Sequence, residues 1–410
     1  MTNKPLISGV IAEFNPLHRG HHFLLTQAKK SSPGGLVVVM SGNFVQRGEP
    51  AAFYKWPRAM AAIRCGADLV LELPVGFSTA GAERFCEGAV AMLDSLGCVD
   101  KLFFGSEWGE IRLLQTVAAT LLSREFEAAV KEELRLGISF AAARQAAIAK
   151  LLGTPAAHLM KEPNNILGIE YCKALLRLGS RIRPETIQRI GAPHDAKAPL
   201  SEEPIASASQ IRRQIANREP FSLYVPQPAA DLFSRELKEG RAPASLHPVE
   251  TAILARLRTM SRQELSHLPD ISEGLENRIQ DSIKTSVSLE QLISSIKSKR
   301  YSHARIRRIL LAAFLGLTNQ ECSKPPAYLR ILAFNEKGRE ILRFAKRSAT
   351  LPIIANWNDV ASLNAEAKAM FQTECRATDL YALCTPVKGP CGLEMTCAYW
   401  ERKDFFGHPN

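Results

Sequence analysis

The sequence predicts an α/β fold in two parts, a doubly wound parallel sheet followed by a mostly helical second half. In the first hundred residues, short apolar runs alternate with amphipathic segments, which is the pattern of parallel strands joined by crossover helices. Beyond residue 221, the apolar residues recur mostly at helical spacing. A chain of 410 residues also exceeds a single ordinary core. We therefore expect two domains, residues 1–221 and residues 222–410.

The first half is predicted to contain five strands, at residues 7–12, 36–40, 69–73, 101–104 and 185–190. Helices are predicted at residues 19–30, 57–64 and 83–95, and the stretch 111–178 is helical in pattern. In such folds, ligands collect at the carboxyl ends of the strands. A functional site is therefore expected where these strands end.

The second half contains three clear helical patterns, "HPVETAILARLRTM", "SLEQLISSIKSK" and "HARIRRILLAAFLGL". Late in the chain, "AYLRILAFNEKGREILRFAKR" and "LPIIANW" predict a small strand-helix-strand element. We expect this element to lie within the second domain.

The composition, 46% hydrophobic and 23% charged, is that of a globular protein. The sequence contains no run of about 18 uncharged apolar residues and does not open on a signal peptide's apolar segment, so we expect a cytoplasmic protein. Its nine cysteines include no C-x-x-C pair, which favours packed thiols over a zinc module. The net charge of +11 is compatible with a polyanionic partner but does not identify one.

The stretch "VIAEFNPLHRGHHF" runs from the first strand into two histidines three residues apart, His18 and His21. Pro16 disfavours helical backbone at Asn15, so the helix is expected to start just after the strand. Both imidazoles then lie in the first helical turn, on one face, where free backbone N–H groups favour an anion. Gly20 is expected to leave room for a flat ligand.

A zinc site and a core histidine are the alternative interpretations of this stretch. Zinc needs a third and a fourth ligand, and the nearby chain offers only His22 and Glu13. A buried core accounts for one histidine, but not for two at a helix start with a glycine between them. Both alternatives remain open.

"NPLHRGHH" resembles the H-x-G-H motif of the nucleotidylyltransferase superfamily, whose Rossmann-like domain binds ATP, transfers an adenylyl group and releases pyrophosphate. The resemblance implies that His18 and His21 stabilise charge on the α-phosphate and the leaving group. "SASQIRR" resembles the superfamily's I-S-S-T-x-I-R signature, which implies that Ser207, Ser209 and Arg212 face the same phosphates. Ser209 stands where threonine is usual and keeps the hydroxyl. A plain helix N-cap is the alternative.

Longer stretches narrow the resemblance. "VIAEFNPLHRGH", "SGNFVQRGEPA", "GADLVLELP", "FGSE", "PNNILGIEY" and "RIGAPHD", in that order, are similar to the bacterial tRNA(Met) cytidine acetate ligase family, and the likeness covers nearly the whole chain. It implies that acetate attacks the α-phosphate of ATP to give acetyl-adenylate. The N4 atom of the wobble cytidine, position 34 of elongator tRNA(Met), then takes the acetyl group.

The resemblance also implies a fold and ligands. A Rossmann-like nucleotidylyltransferase domain would be followed by a mostly helical RNA-binding domain that contacts elongator tRNA(Met). ATP and Mg²⁺ are the expected cofactors, with a hydrated ion on the phosphates rather than a protein metal cage. A small-molecule adenylyltransferase of the same superfamily and a non-catalytic RNA-binding protein are the alternatives, but the basic helical half has no evident use in the first.

Site residues follow from the same resemblance. The expected catalytic residues are His18, His21, Ser209 and Arg212. The expected ATP contacts are Val10, Ile11, Ala12, Glu13, Phe14, Asn15, Pro16, Gly20, His22, Gly105, Asn165 and Arg189, with Asn164 as an alternative to Asn165. A general base is not identified, and Asp195 is an open candidate.

Two polar segments are expected to contact acetate or tRNA. The loop "SGNFVQRGEPA" follows the second strand and supplies Asn43, Gln46 and Arg47, which is either a solvated connection or part of the site. The run "KSKRYSHARIRR" supplies Lys297, Lys299, Arg300, Tyr301, Arg305, Arg307 and Arg308, with the tyrosine expected to stack on a base. A solvated helix face is the alternative for this run. Lys55 and Arg58 are expected either to neutralise phosphate or to lie on a solvated face.

Overall fold

The computed structural model describes residues 5–189, 206–272, 274–298 and 300–400, with backbone only for residues 397–400. The strands are β1 Ile7–Ala12, β2 Gly35–Ser41, β3 Phe44–Val45, β4 Glu49–Pro50, β5 Leu69–Leu73, β6 Lys101–Ser106, β7 Arg183–Gln188, β8 Leu329–Phe334 and β9 Ile353–Ile354. Seven of them form one sheet in the order β7-β6-β1-β2-β5-β8-β9, and β3 pairs with β4 in a hairpin.

The helices of the first half are α1 Arg19–Lys30, α2 Lys55–Arg64, α3 Val75–Ser78, α4 Ala82–Ser95, α5 Ile111–Thr120, α6 Arg124–Leu134, α7 Phe140–Leu152, α8 Thr154–Leu159, α9 Pro163–Leu178 and α10 Ala208–Ala216. The later helices are α11 Gln227–Lys238, α12 Glu250–Thr259, α13 Arg262–Ser266, α14 Leu275–Thr285, α15 Leu289–Ile296, α16 His303–Leu315, α17 Asn319–Cys322, α18 Glu336–Ser348, α19 Trp357–Val360, α20 Ala365–Tyr381 and α21 Leu393–Trp400. None of the described helices has the length and apolarity that a bilayer-spanning segment needs.

The predicted α/β class is confirmed. β1 runs parallel to both β2 and β6, β2 runs parallel to β5, and β6 runs parallel to β7. Every residue of β1, β2 and β5 is buried, because helices cover both faces of the sheet. α1 has its predicted bounds, and α2 begins two residues before the predicted start. β7 begins earlier than predicted, at residue 183, and residue 190 lies outside the described range.

The late strand-helix-strand element exists, but its predicted place within the second domain is wrong. β8 pairs antiparallel with β5, with Leu69 opposite Phe334. The physical reason is the apolar strand β5, whose outer edge would otherwise carry unpaired backbone groups. α18 then begins at an Asn335 N-cap, whose side chain donates to Asp68 just before β5 (3.0 Å). The domain boundary at residue 221 stays a prediction.

The helical half packs on the side of the sheet that carries α2. One apolar cluster joins residues of β1 and β2, such as Val10 and Val38, to residues of α12, α15 and α16, such as Ile253, Leu292 and Ile306. At the hairpin, Gly48 has a φ of +74°, and a Cβ there would lie 2.5 Å from the backbone nitrogen of Arg308. Only glycine lets the hairpin touch the backbone of α16 this closely. The basic segment is thus placed beside the carboxyl end of β2.

Candidate active site

The two histidines cap the helix that follows β1. His18 is the N-cap residue of α1, and its Nδ1 accepts the backbone N–H of His21 (3.4 Å). In return, Nδ1 of His21 accepts the backbone N–H of His18 (3.3 Å). The two rings stack with their centroids 3.8 Å apart, and the edge of Phe14 meets His21 at 5.1 Å. The prediction that both imidazoles lie on one face of the first turn is confirmed.

Burial sets the charge of both rings, and the capping hydrogen bonds set which nitrogen carries the proton. Burial, followed by the charge of Arg189, lowers the pKa of His18 to about 4. Burial, the neighbouring His18 and Arg189 lower the pKa of His21 well below its usual value. Both rings are therefore neutral at neutral pH. Because each Nδ1 accepts a hydrogen bond, each Nε2 carries the proton and is the donor available to a ligand.

We expect the neutral Nε2–H tautomer of His18 to persist below pH 6. Nitrogen NMR of protein labelled at its histidine rings, with His18→Gln for assignment, measures this directly. Since the usual pKa of 6.5 falls to about 4 on folding, the unfolded chain binds the proton first, and stability falls as pH drops through that window. An imidazolium signal from His18 at pH 6 would contradict the assignment.

Gly20 leaves room for a neighbouring side chain, and its predicted role toward a ligand stays a prediction. A Cβ at Gly20 would lie 3.0 Å from Cε1 of His18, so the glycine makes room for the His18 ring. No contact of Gly20 points to a flat ligand. The prediction that Gly20 contacts ATP rests on the resemblance alone.

Asn15 carries an unused donor at the same place. Its Oδ1 accepts the backbone N–H of Ala52 (2.8 Å), and its carbonyl accepts from Nη1 of Arg212 (2.8 Å). Among the described residues, its Nδ2 has no hydrogen-bond partner, although Asn15 is 3% exposed. A buried amide donor without a partner costs free energy. An anionic oxygen of a ligand would remove that cost, so the site fits a phosphate.

Ser209 and Arg212 form a second group of donors. α10 begins at the Ser207 N-cap, and Oγ of Ser209 lies 3.3 Å from Nη2 of Arg212. Arg47, from the hairpin, donates to the same oxygen (3.1 Å), and Glu49 lies 3.4 Å from Arg212. The structure thus brings the predicted Ser209, Arg212 and Arg47 together, next to Asn15.

Glu13 lies at the carboxyl end of β1 within this group. Its Oε1 accepts the backbone N–H of Gln46 (2.8 Å), and the buried Nε2 of Gln46 has no hydrogen-bond partner in the part of the chain that the structure describes. Burial raises the pKa of Glu13, although Gln46, Arg212 and Arg47 oppose the shift. The structure therefore places the predicted Gln46 beside Glu13, and its substrate contact stays a prediction.

Arg58 anchors the site from below, and its predicted role as a phosphate ligand or solvated charge is wrong. Its guanidinium is fully buried and donates to the carbonyl oxygens of Glu13 (2.6 Å), Ser41 (3.1 Å) and Phe53 (2.9 Å). It also donates to Gly42. Burial lowers the pKa of Arg58 to about 10, so it stays charged at neutral pH. The guanidinium therefore holds together the ends of β1 and β2 and is not available to a ligand.

Arg189 and its neighbours form the other side of the site. Arg189 follows β7, packs over Gly105 (3.2 Å from a Cβ placed there) and donates to Oδ1 of Asn164 (3.2 Å). Asn165 is buried, and its Oδ1 accepts the backbone N–H of Trp108 (3.0 Å). Asn164 is therefore the asparagine on the Arg189 side. The predicted nucleotide contact of Asn165 fits these bonds less well.

Together, these residues form a cradle of hydrogen-bond donors at the carboxyl ends of parallel strands. A family model described as HIGH nucleotidyl transferase matches residues 6–391. The tRNA(Met) cytidine acetate ligase of Acetivibrio thermocellus is 37% identical over 95% of this chain and 98% of its own length. The protein of that name from Caldanaerobacter subterraneus subsp. tengcongensis is 41% identical over 92% of this chain and 94% of its own. The chain belongs to the tRNA(Met) cytidine acetate ligase family.

Solved structures agree with the assignment to this ligase family. The crystal structure of Thermotoga maritima TmcAL bound with alpha-thio ATP has a TM-score of 0.88 and 33% identity, over 95% of this chain and 98% of that chain. The apo form of the same protein gives a TM-score of 0.88 at 34% identity. The nucleotidyltransferase fold predicted from the H-x-G-H motif is therefore confirmed.

The structure places Asn43 of the "SGNFVQRGEPA" segment, and Lys55 after it, in the interior. Asn43 is buried, donates to Oγ1 of Thr378 (2.9 Å) and accepts the backbone N–H of Lys55 (3.0 Å). Both ends of its amide are used, so a substrate contact fits poorly. Lys55 is fully buried between Glu72 (2.6 Å) and Glu394, which makes its predicted phosphate or solvated role wrong.

The basic run is divided between packed and exposed residues. Tyr301 is 7% exposed and lies under the guanidinium of Arg305 (5.3 Å), so the prediction that it stacks on a base is wrong. Arg305 donates to the carbonyl of Asp270 (2.8 Å), and Arg308 pairs with the Asp270 carboxylate (2.7 Å). The exposed members among the described residues are Lys297, Arg300 and Arg307. Lys299 and Asp195 lie outside the described residues.

Glu107 is a site residue that sequence reasoning did not single out. Its carboxylate accepts the backbone N–H groups of Asn164 (3.3 Å) and Asn165 (2.8 Å) and so caps the start of α9. The sequence signal for this helix cap was present in "FGSE", where a carboxylate follows a strand end.

In the described part of the chain, no group of three His, Cys, Asp or Glu converges on a metal position.

Proposed function

We propose that this protein uses ATP to activate acetate as acetyl-adenylate and transfers the acetyl group to N4 of the wobble cytidine of elongator tRNA(Met). The observation that carries the proposal is the pair of neutral, stacked imidazoles at the start of α1, in the same segment as the buried Asn15 amide, whose Nδ2 has no hydrogen-bond partner among the described residues. Relatives with this name match nearly the whole chain, the helical half included. The alternative, a small-molecule adenylyltransferase, is therefore not favoured.

In the first step, a carboxylate oxygen of acetate attacks the α-phosphorus of ATP. The bond from that phosphorus to the bridging oxygen breaks, and pyrophosphate leaves with the electron pair. Negative charge grows on the phosphate oxygens, so fixed donors stabilise the transition state. His18, His21, the Asn15 amide and Arg212 are the donors that this chain holds in place. A carboxylate nucleophile needs no general base.

In the second step, N4 of the cytidine attacks the acetyl carbonyl carbon and AMP leaves. The nitrogen loses one proton as the amide forms. Magnesium is expected on the phosphates of ATP, where it supplies further charge neutralisation. No dedicated set of protein ligands is assigned to it, and no step here depends on it. We place the reaction in the cytoplasm.

The RNA is proposed to approach from the hairpin side. Gly48 touches the backbone of α16, and the neighbouring Arg47 reaches Ser209 in the site. The exposed cations Lys297, Arg300 and Arg307 lie on or just before that helix. Phosphate contacts from this surface would supply affinity, while a splayed base would enter the site.

We expect Lys297→Gln and Arg307→Gln to weaken tRNA binding and to lower its salt dependence by about one unit of log–log slope each. Both side chains are exposed, so neither change should alter folding. Filter binding at several salt concentrations measures the slope, and acetate-dependent ATP–pyrophosphate exchange should be unchanged. Arg343→Gln, on α18, serves as the control. A slope unaffected by either change would place the RNA elsewhere.

The experiment that tests the proposal's first half is ATP–pyrophosphate exchange with and without acetate, in the absence of tRNA. Exchange that requires acetate supports the adenylate. Exchange that requires another small substrate and ignores acetate would overturn the proposal in favour of a small-molecule adenylyltransferase.

A further inference from the structure

Trp108 is an exposed aromatic residue that the reaction scheme above does not use. It follows β6, at the carboxyl edge of the sheet where the site lies, and 43% of its surface is exposed. Within the described residues, no hydrogen-bond, ring or cation contact involves its indole. A large exposed aromatic at a site edge is a common platform for a nucleobase.

The backbone around Trp108 is held rigidly. Its N–H donates to Oδ1 of the buried Asn165 (3.0 Å), and the N–H of Gly109 donates to Oγ of Ser106 (2.9 Å). Gly109 has a φ of +76°, and a Cβ there would lie 2.8 Å from the side chain of Gln188. The loop is fixed by residues of β6, β7 and α9. The indole is therefore presented in one place rather than on a loose loop.

The position of this loop relative to the histidines assigns it a ligand. Glu107, one residue before Trp108, binds Asn164, and Asn164 binds Arg189. Arg189 in turn lies close enough for its charge to act on both His18 and His21. A row of contacts thus runs from the phosphate cradle to Trp108. Arg47 and the basic helix α16 belong to the hairpin side of the cradle, where the RNA is proposed to enter, so the nucleoside of ATP is assigned to the Trp108 side.

We propose that the face of the Trp108 indole stacks on the adenine of ATP. This assignment rests on the proposed function, since it takes the triphosphate to lie on the histidine pair and the RNA to enter over the hairpin. Stacking makes the purine ring part of what the site selects. Asn164 and Arg189, between the base and the phosphates, are then placed along the ribose.

The test is the binding of a nonhydrolysable ATP analogue, α,β-methylene ATP, without acetate or tRNA. We expect Trp108→Ala to weaken binding roughly 5- to 150-fold, the range of base–aromatic stacking, and Trp108→Phe to restore most of it. Tryptophan fluorescence should be quenched by the analogue in the unchanged protein and not in Trp108→Phe. Because the side chain is exposed, the melting temperature should not change.

Trp357 provides a matched control. It is 44% exposed and lies on α19, so Trp357→Phe should keep the quenching and Trp357→Ala should keep the affinity. Unchanged affinity in Trp108→Ala would overturn the proposal, and if tRNA binding weakened instead, the indole would face the RNA. The binding test contains no acetate, so it is independent of the exchange experiment. If Trp108→Ala weakened binding of the analogue as expected but exchange did not require acetate, the proposed function alone would be wrong.

Discussion

Replacing His21 by alanine is expected to lower acetate-dependent ATP–pyrophosphate exchange by roughly 10²- to 10³-fold, the cost of one transition-state donor. His21 supplies an Nε2–H donor, and its Nδ1 also caps the backbone N–H of His18. Its loss therefore removes one donor and loosens the other ring. Binding of tRNA should stay almost unchanged, because the exposed basic residues that we propose for it lie on and beside α16.

His158→Ala is the control for this variant, since His158 is exposed on α8 and far along the chain from the capping pair. It should leave both exchange and tRNA binding as they are. If His21→Ala lost exchange and tRNA binding to the same degree, the imidazole would be supporting the fold rather than the chemistry.

Lys55→Met is expected to reduce the free energy of unfolding by about 3–5 kcal/mol, the cost of breaking a buried ion pair. Lys55 and Arg330 together face the buried carboxylates of Glu72 and Glu394. Burial alone would raise the pKa of Glu394, but Arg330 and Lys55 lower it to about 2. Methionine fills the space of the lysine and leaves excess negative charge in the interior. Urea unfolding followed by circular dichroism measures the loss.

Lys150→Met is the matched change at the surface. Lys150 pairs with Glu132 at 2.6 Å, but both side chains are more than half exposed, so we expect a far smaller loss than at Lys55. Equal effects of the two substitutions would mean that the buried ion cluster contributes no more than a solvated pair.

The local pattern of the sequence was enough for the strands and helices around the site. β1, β2, β5 and β6 are apolar runs bounded by polar residues, and the histidine spacing placed both rings in one helical turn. The edge partner of β5 could not be read in this way. β8 is separated from β5 by more than 250 residues, and no local pattern in either segment identifies the other as its pairing partner.

The errors at the site have a common cause. Residue type alone predicts that a lysine or arginine is exposed and that an aromatic ring in a basic run is free to stack. That reasoning gave the wrong roles for Lys55, Arg58 and Tyr301. Burial of a cation depends on partners that come from distant segments, such as Glu394 for Lys55 and three strand-end carbonyls for Arg58. Tyr301 is covered by Arg305, four residues later, and that contact follows from packing rather than from the sequence run.

The most direct measurement is nucleoside analysis of elongator tRNA(Met) after incubation with the purified protein, ATP, magnesium and isotope-labelled acetate. We predict label in N4-acetylcytidine at position 34, dependent on ATP, independent of acetyl-CoA and formed at least roughly 10²-fold more slowly with His21→Ala. Unlabelled tRNA, accompanied by pyrophosphate release only with some other small substrate, would contradict the ligase assignment for this chain.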